Sequence, residues 1–379
     1  MFRTIFHLSS ILVFIAPLIH VAGYDNPFFF NSRLAFPPYL STFFSWLLYL
    51  VYMLFLFFSI NKLKIIFDRN LTLRIFPLFL SYCVLLIFAI ASFSDVSRYV
   101  LLTIMVIIVP SVIYFILNVE DEYIEAIKKY SMFYVAFSIV FVVLNYNPGM
   151  RSTGMLGNPN IFSATLLFHL AFLLEYSNRI RRIRYNYFII TIITSMIFMS
   201  GSRSALLVAF LILLPSLLKN KLNFSIICAF VLASLFYFGG NELEFLTSRF
   251  SIDAYENVAS QSGRSVIWES ALYYIKQDYL VGWGMDSPQK LLDTGNVHSS
   301  YYRIMLMIGI PLSILSFISM SAFLVFITFS RNISELNIFI VSFFILSLGE
   351  DFLVGIGSAM FYYFIISIPL LLKFRRLHG

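Results

Sequence analysis

Apolar stretches with at most one charged residue, each about as long as a bilayer is thick, recur from one end of this chain to the other. Crossing roughly 30 Å of hydrocarbon takes about 20 helical residues. Segments that approach or meet that length lie near 4–22, 39–60, 75–93, 97–117, 130–145, 160–175, 186–200, 204–218, 222–239, 299–329, 334–349 and 356–372. Lipid offers the backbone no hydrogen-bond partner, so a crossing segment is either a helix or a strand of a closed barrel. Runs such as Leu101–Val109 and Phe224–Phe238 are apolar on every face and lack the alternation of a barrel strand. The expected fold class is therefore all-α, a polytopic membrane protein of about twelve helices forming one integral membrane domain over residues 1–379. Charged residues make up only 12% of the chain, against about 25% in a soluble domain, which removes the soluble enzyme classes.

Lys and Arg set the orientation. With the N-terminus inside, most of the 26 Lys and Arg residues fall in cytoplasmic connections, most densely at Arg179–Arg184. Both termini are then expected in the cytoplasm, and the long connection 240–298 is expected outside, between helices nine and ten. The formal charge of +7 reads as anchoring to anionic lipid. It does not read as nucleic-acid binding, because no basic stretch is interleaved with aromatics. The first apolar segment is expected to remain as a helix rather than be cleaved: its run is long and its basic region is only Arg3. Cys83 and Cys228 both fall inside apolar spans, which leaves no disulfide framework.

The loop at 240–298 is the only long polar excursion, and Arg203, Arg264 and His298 bracket it. Ser200-Gly201-Ser202-Arg203 joins two apolar spans on the external side. A tight turn there starts the next helix, with free N–H groups, the positive end of a dipole and a guanidinium suited to phosphate. An interfacial arginine snorkelling to water is the plainer role for Arg203. Within the loop, Ile267, Trp268, Ala271, Leu272 and Ile275 recur at helical spacing, which predicts an amphipathic helix over 265–276. Arg264 falls in its first turn, where a cation is disfavoured by the dipole unless an anion is nearby. A solvated loop arginine is the alternative. His298, at the junction with the tenth span, is able to exchange protons near neutral pH, and Arg303 follows on a segment that Gly309-Ile310-Pro311 should break. Asn158 and Asn160, in a rigid Gly-Asn-Pro-Asn turn, can reach a sugar or cap a helix. Glu350 and Asp351 close the eleventh span as an alternative base, a counter-ion to the arginines, or interface charges. No carboxylate and histidine grouping has metal-ligand spacing, so no metal and no cofactor are expected.

Gly157-Asn158-Pro159-Asn160, Ser200-Gly201-Ser202-Arg203, Gly263-Arg264 with Trp268, Gly282-Trp283-Gly284, and His298 with Tyr301 and Gly309 occur in that order. In this the chain resembles the O-antigen ligase and polymerase superfamily of bacterial membrane glycosyltransferases. One departure is Ser299, where family members often carry Asn directly after the histidine. The resemblance implies a GT-C-like helical enzyme with one large periplasmic loop, in a Gram-negative inner membrane. It further implies that Arg203, Arg264 and Arg303, with Asn158 and Asn160, bind an undecaprenyl-diphosphate-linked glycan. His298 would orient or deprotonate the acceptor hydroxyl. Transfer would be en bloc, inverting and metal-independent. By similarity the chain is closer to polymerases of the Wzy type, which extend a lipid-linked repeat unit and work with a chain-length regulator. Ligases instead transfer to lipid A core. A flippase for the same lipid-linked units is the competing class, but it would place its charges along the middle of the spans. Here the charges gather at one face.

Overall fold

The computed structural model describes residues 75–85, 122–144, 151–154, 156, 158–179, 185–219, 264–284, 287–292, 297–328, 334–353 and 359–376. The expected spans 4–22, 39–60, 97–117 and 222–239, and the loop from 240 to 263, lie outside the described residues. Every regular element among the described residues is a helix. They are α1 (Ile75–Leu85), α2 (Glu122–Leu144), α3 (Pro159–Arg179), α4 (Tyr185–Met199), α5 (Arg203–Lys219), α6 (Arg264–Gln277), α7 (Ser287–Leu292), α8 (Ser300–Thr328), α9 (Glu335–Leu346) and α10 (Ala359–Arg376). Three of them, in α2, α3 and α8, are long and apolar enough to cross a membrane. The described residues are therefore all-helical, and their apolar helices are those of a membrane protein.

Helix α3 is the centre of the bundle. Every residue from Phe162 to Ser177 is buried, His169 and Glu175 included, as expected of a helix enclosed by its neighbours on all sides. Helices α2, α4, α5, α9 and α10 pack around it. Helices α2 and α8 lie at the periphery, with Phe133, Val143, Ile314 and Ile318 more than half or about half exposed. Apolar surface of this extent would be an aggregation liability in water and is ordinary against lipid. Small hydroxyls stitch the bundle internally: Ser81 and Ser316 share a 2.6 Å hydrogen bond, Ser319 donates to the Pro77 carbonyl at 2.7 Å, and Tyr134 and Thr165 lie 2.8 Å apart.

Helix α8 is broken where Gly309-Ile310-Pro311 predicts. Gly309 takes φ 75° and ψ 172°, and Pro311 has no N–H to donate. The expected loop helix is present as α6, Arg264–Gln277. The short α7 was not legible as a helix because its six residues carry too little periodicity to register.

Candidate functional site

At the end of the bundle where α3 begins, three separate stretches of chain converge on one carboxylate. Glu350 Oε1 accepts from Asn160 Nδ2 at 2.8 Å and from an Arg264 guanidinium nitrogen at 2.8 Å. Glu350 Oε2 lies 3.6 Å from His298 Nδ1, which is long for a hydrogen bond but close enough for an ion pair with a protonated imidazole. Burial is the strongest single influence on Glu350 and opposes its ionisation. The polar contact with His298, the charges of Arg264 and His298, and the Asn160 hydrogen bond together outweigh it and hold the carboxyl below its usual range. Glu350 is thus an anion at neutral pH.

The helix start at α3 places Asn160. Asn158 Oδ1 accepts from the Asn160 and Ile161 N–H groups at 2.9 and 3.3 Å, an N-cap that satisfies two orphan donors. Asn160 does not share that duty: its side chain accepts from Arg151 at 2.6 Å and donates to Glu350. Arg151 also donates through Nε to the Ser200 carbonyl at 2.8 Å. It lies over Gly201, where a Cβ would sit 3.5 Å from the arginine side chain. The turn Ser200–Ser202, from which Arg203 opens α5, is thereby tied to Asn160 and through it to Glu350. Among the described residues the Arg203 side chain makes no ion pair.

His298 sits in a strained turn. Its φ of 55° is the single positive value at a non-glycine position among the described residues, a conformation that costs roughly 1–2 kcal/mol. Asp351 holds it there. The Val297 N–H donates to Asp351 Oδ2 at 3.0 Å and the Ser299 N–H donates to Oδ1 at 3.1 Å, so one carboxylate grips the backbone on both sides of His298. Arg303 donates to Asp351 Oδ2 at 3.1 Å, and the Trp268 indole donates to the Val297 carbonyl at 3.0 Å. Ser300 completes the seam, donating to the Glu350 carbonyl at 3.0 Å while accepting from the Leu353 N–H. Strain of this kind persists only where the surroundings over-determine it.

The structure therefore brings together Asn160, Arg264, His298 and Glu350 in direct contact, with Asp351 and Arg303 one contact behind His298. Asn158 acts on the helix end, and Arg203 opens α5 directly after the turn that Arg151 holds, with no side-chain hydrogen bond or ion pair to Glu350, His298 or Arg264. The misfit of Arg264 at a helix N-terminus is met by Glu350, an anion within the chain itself. Arg151 is not legible as a site residue, because nothing in a loop arginine's sequence context says that it will bridge a helix cap and a distant turn. Glu350 had a signal: an ionisable residue beside an apolar span is expensive and tends to be functional. Among the described residues no group of three or more His, Cys, Asp or Glu side chains is placed to hold a metal. Arg151, Arg264 and Arg303 outnumber the two carboxylates, Glu350 and Asp351, in the contacts of this cluster. Arg264 and His298 are the open members, with 31% and 29% of their side chains exposed.

Among the described residues the chain is a helical bundle of the membrane-protein class, with a partly open cluster of arginine, histidine and carboxylate side chains at one end. Residues 187–317 match the family described as O-antigen ligase, a stretch that runs from α4 past Arg203, Arg264, His298 and Arg303 into α8. The match supports the O-antigen ligase and polymerase superfamily, whose members are glycosyltransferase-like enzymes. No curated protein matches the chain.

Proposed function

We propose that this protein is a surface-polysaccharide (O-antigen) polymerase. It takes a glycan from undecaprenyl diphosphate and transfers it en bloc to a lipid-linked repeat unit at the periplasmic face of a Gram-negative inner membrane. The observation that carries the reading is the convergence of Glu350, Arg264, Asn160 and His298 at one end of the helical bundle, within and beside the stretch that resembles the family.

In this reaction the acceptor hydroxyl attacks the anomeric carbon while the bond from that carbon to the diphosphate oxygen breaks. His298 takes the hydroxyl proton, and Glu350 stabilises the imidazolium that results, as a carboxylate partner does for a histidine base. Negative charge develops on the departing diphosphate. Arg264, with Arg203 at the start of α5, meets it with planar forks of N–H donors. One carboxylate does not exhaust the five donors of a guanidinium, so the Glu350 pair orients Arg264 without removing it from use. Arg303 acts through Asp351 on the position of His298, and Asn160 holds Glu350 in register.

The ligase reading, transfer to lipid A core, is favoured by the family's own description as O-antigen ligase. Lipopolysaccharide from a strain lacking the gene separates the two. Core bearing a single repeat unit supports the polymerase, whereas bare core with long polymer left on the lipid carrier supports the ligase. An unchanged ladder rejects both. Arg264→Lys tests the phosphate role directly: loss of the planar fork should cost about tenfold in rate. Full activity with lysine would remove bidentate recognition from that position.

A further inference from the structure

The turn that follows α6 bears on how the loop meets the membrane. Gly309 breaks α8, which strands backbone groups inside a helix long enough to cross a bilayer. The turn takes them up. The Trp283 N–H donates to the Leu306 carbonyl at 2.8 Å, the Gly284 N–H donates to the Met307 carbonyl at 2.9 Å, and the Ile310 N–H donates to the Tyr279 carbonyl at 2.7 Å. The approach is backbone to backbone. A Cβ on Gly282 would lie 2.4 Å from the Gly309 nitrogen, and one on Gly309 would lie 2.5 Å from the Leu280 carbonyl oxygen. The motif Gly282-Trp283-Gly284 is therefore the patch for a helix break.

Helix geometry places this seam in depth. The unbroken part of α8 below Gly309 runs from residue 310 to 328, about 28 Å at 1.5 Å per residue, close to the roughly 30 Å hydrocarbon thickness. Its far end is level with the ends of α10 and α3, because Arg375 donates to the Ile327 carbonyl and Arg179 donates to the Phe374 carbonyl. The seam thus stands at the hydrocarbon edge on the site side. Tyr279, Leu280, Val281 and Trp283 are 52%, 56%, 55% and 42% exposed, and the Trp283 indole N–H is already satisfied by the Tyr274 carbonyl at 2.9 Å. Just below, the lipid-facing surface of α8 continues with Ile314 and Ile318, 50% and 62% exposed.

The geometry points to residues 279–283 being seated in the membrane, at the boundary between phospholipid headgroups and acyl chains, as a wedge that fixes the loop helix α6, and with it Arg264, against the bilayer. Aromatic and aliphatic side chains at this depth are what the interface selects. The outer face of α6 does not share the property, since it mixes Val266 and Tyr273 with exposed Glu269 and Lys276. The wedge is independent of the reaction proposed above, because depth and not product is what reports on it.

The test is spin labelling of the full-length chain in phospholipid nanodiscs. Cys83 and Cys228 are replaced by alanine and single cysteines introduced as L280C, V281C and E269C. Collision rates are then measured with oxygen, which concentrates in acyl chains, and with a water-soluble nickel chelate. Oxygen collisions should exceed nickel collisions several-fold at 280 and 281, and the order should reverse at 269. Nickel dominance at both 280 and 281 would show a turn in water and overturn the proposal. Poor access for both reagents at those positions would show a covering protein surface instead, and would overturn it equally.

Discussion

Helix α3 has a charged cluster at each end, and the two are assembled by opposite rules. At the Arg179 end, Glu175 is fully buried, pairs with Arg179 one turn on, and accepts from the Leu336 N–H. Asn178 donates to the buried Glu335 at 2.7 Å. These contacts run from helix to helix and tie α3 to α9. At the Asn160 end the carboxylates reach across turns and a loop to Arg264, His298 and the backbone on either side of His298, and two members stay open to solvent. A cluster carried on regular helical backbone joins helices. An open cluster holding a residue at positive φ has a conformation that packing alone does not require, and strain of that kind gathers at functional sites.

The largest effect that separates the two ends is on rate. His298→Ala and Glu350→Ala should each lower polymer formation in reconstituted vesicles by about 10²–10⁴, the range for general acid–base groups, while membrane insertion on a gel is unchanged. A variant of either that makes normal polymer would reduce the site end to another structural staple. Glu175→Ala should act on stability instead. Removing the buried carboxylate takes a partner from the partly exposed Arg179 and leaves the Leu336 N–H without its acceptor, a loss of about 1–3 kcal/mol, seen as earlier thermal inactivation in detergent, with turnover per folded molecule close to wild type. A large turnover defect in the surviving folded protein would erase the distinction. Smaller again, Asn158→Ala should cost about 1 kcal/mol through the lost cap. The same measurement should show that loss with only a modest fall in rate, because Asn160 and not Asn158 touches Glu350.

The smallest effect is the pH dependence of stability at the site. The folded carboxyl of Glu350 is held below its usual range. Its contribution is therefore fully present above the unfolded value of about 4.3 and is lost as pH falls through the lower folded value. Thermal stabilities of the parent and Glu350→Gln should differ at neutral pH and converge only on acidification below that range. Convergence already at pH 6 would mean that the pairing with Arg264 and His298 does not hold Glu350 as an anion.

Much of the fold was legible because helices in lipid answer to local sequence. The expected segments 160–175, 186–200, 204–218 and 334–349 correspond to α3, α4, α5 and α9 within a few residues, and the break at Gly309 was readable from Gly-Ile-Pro. Which helix is central was not readable, since α3 and α8 are both apolar and only packing encloses one of them. In the same way the sequence does not distinguish Asn158 from Asn160 as cap or sugar ligand, and the structure gives the cap to one and the Glu350 contact to the other. Neighbouring residues on a helix start point in different directions, and sequence spacing at a distance of two does not say which direction meets a partner.

Alone, the sequence determined the solvent and the chemical inventory: an apolar helical chain with few charges, and one long polar loop bracketed by arginine and histidine. Those follow from hydropathy and residue type, which are properties of each segment by itself. Only the tertiary structure decided that Glu350 faces Arg264, Asn160 and His298 while its neighbour Asp351 grips the backbone around His298. These contacts join residues from about 50 to 190 positions apart, and no local rule carries information over that separation. They exist because helix packing and one tight turn bring the segments to the same end of the bundle, where an unpaired buried charge would be too costly to leave.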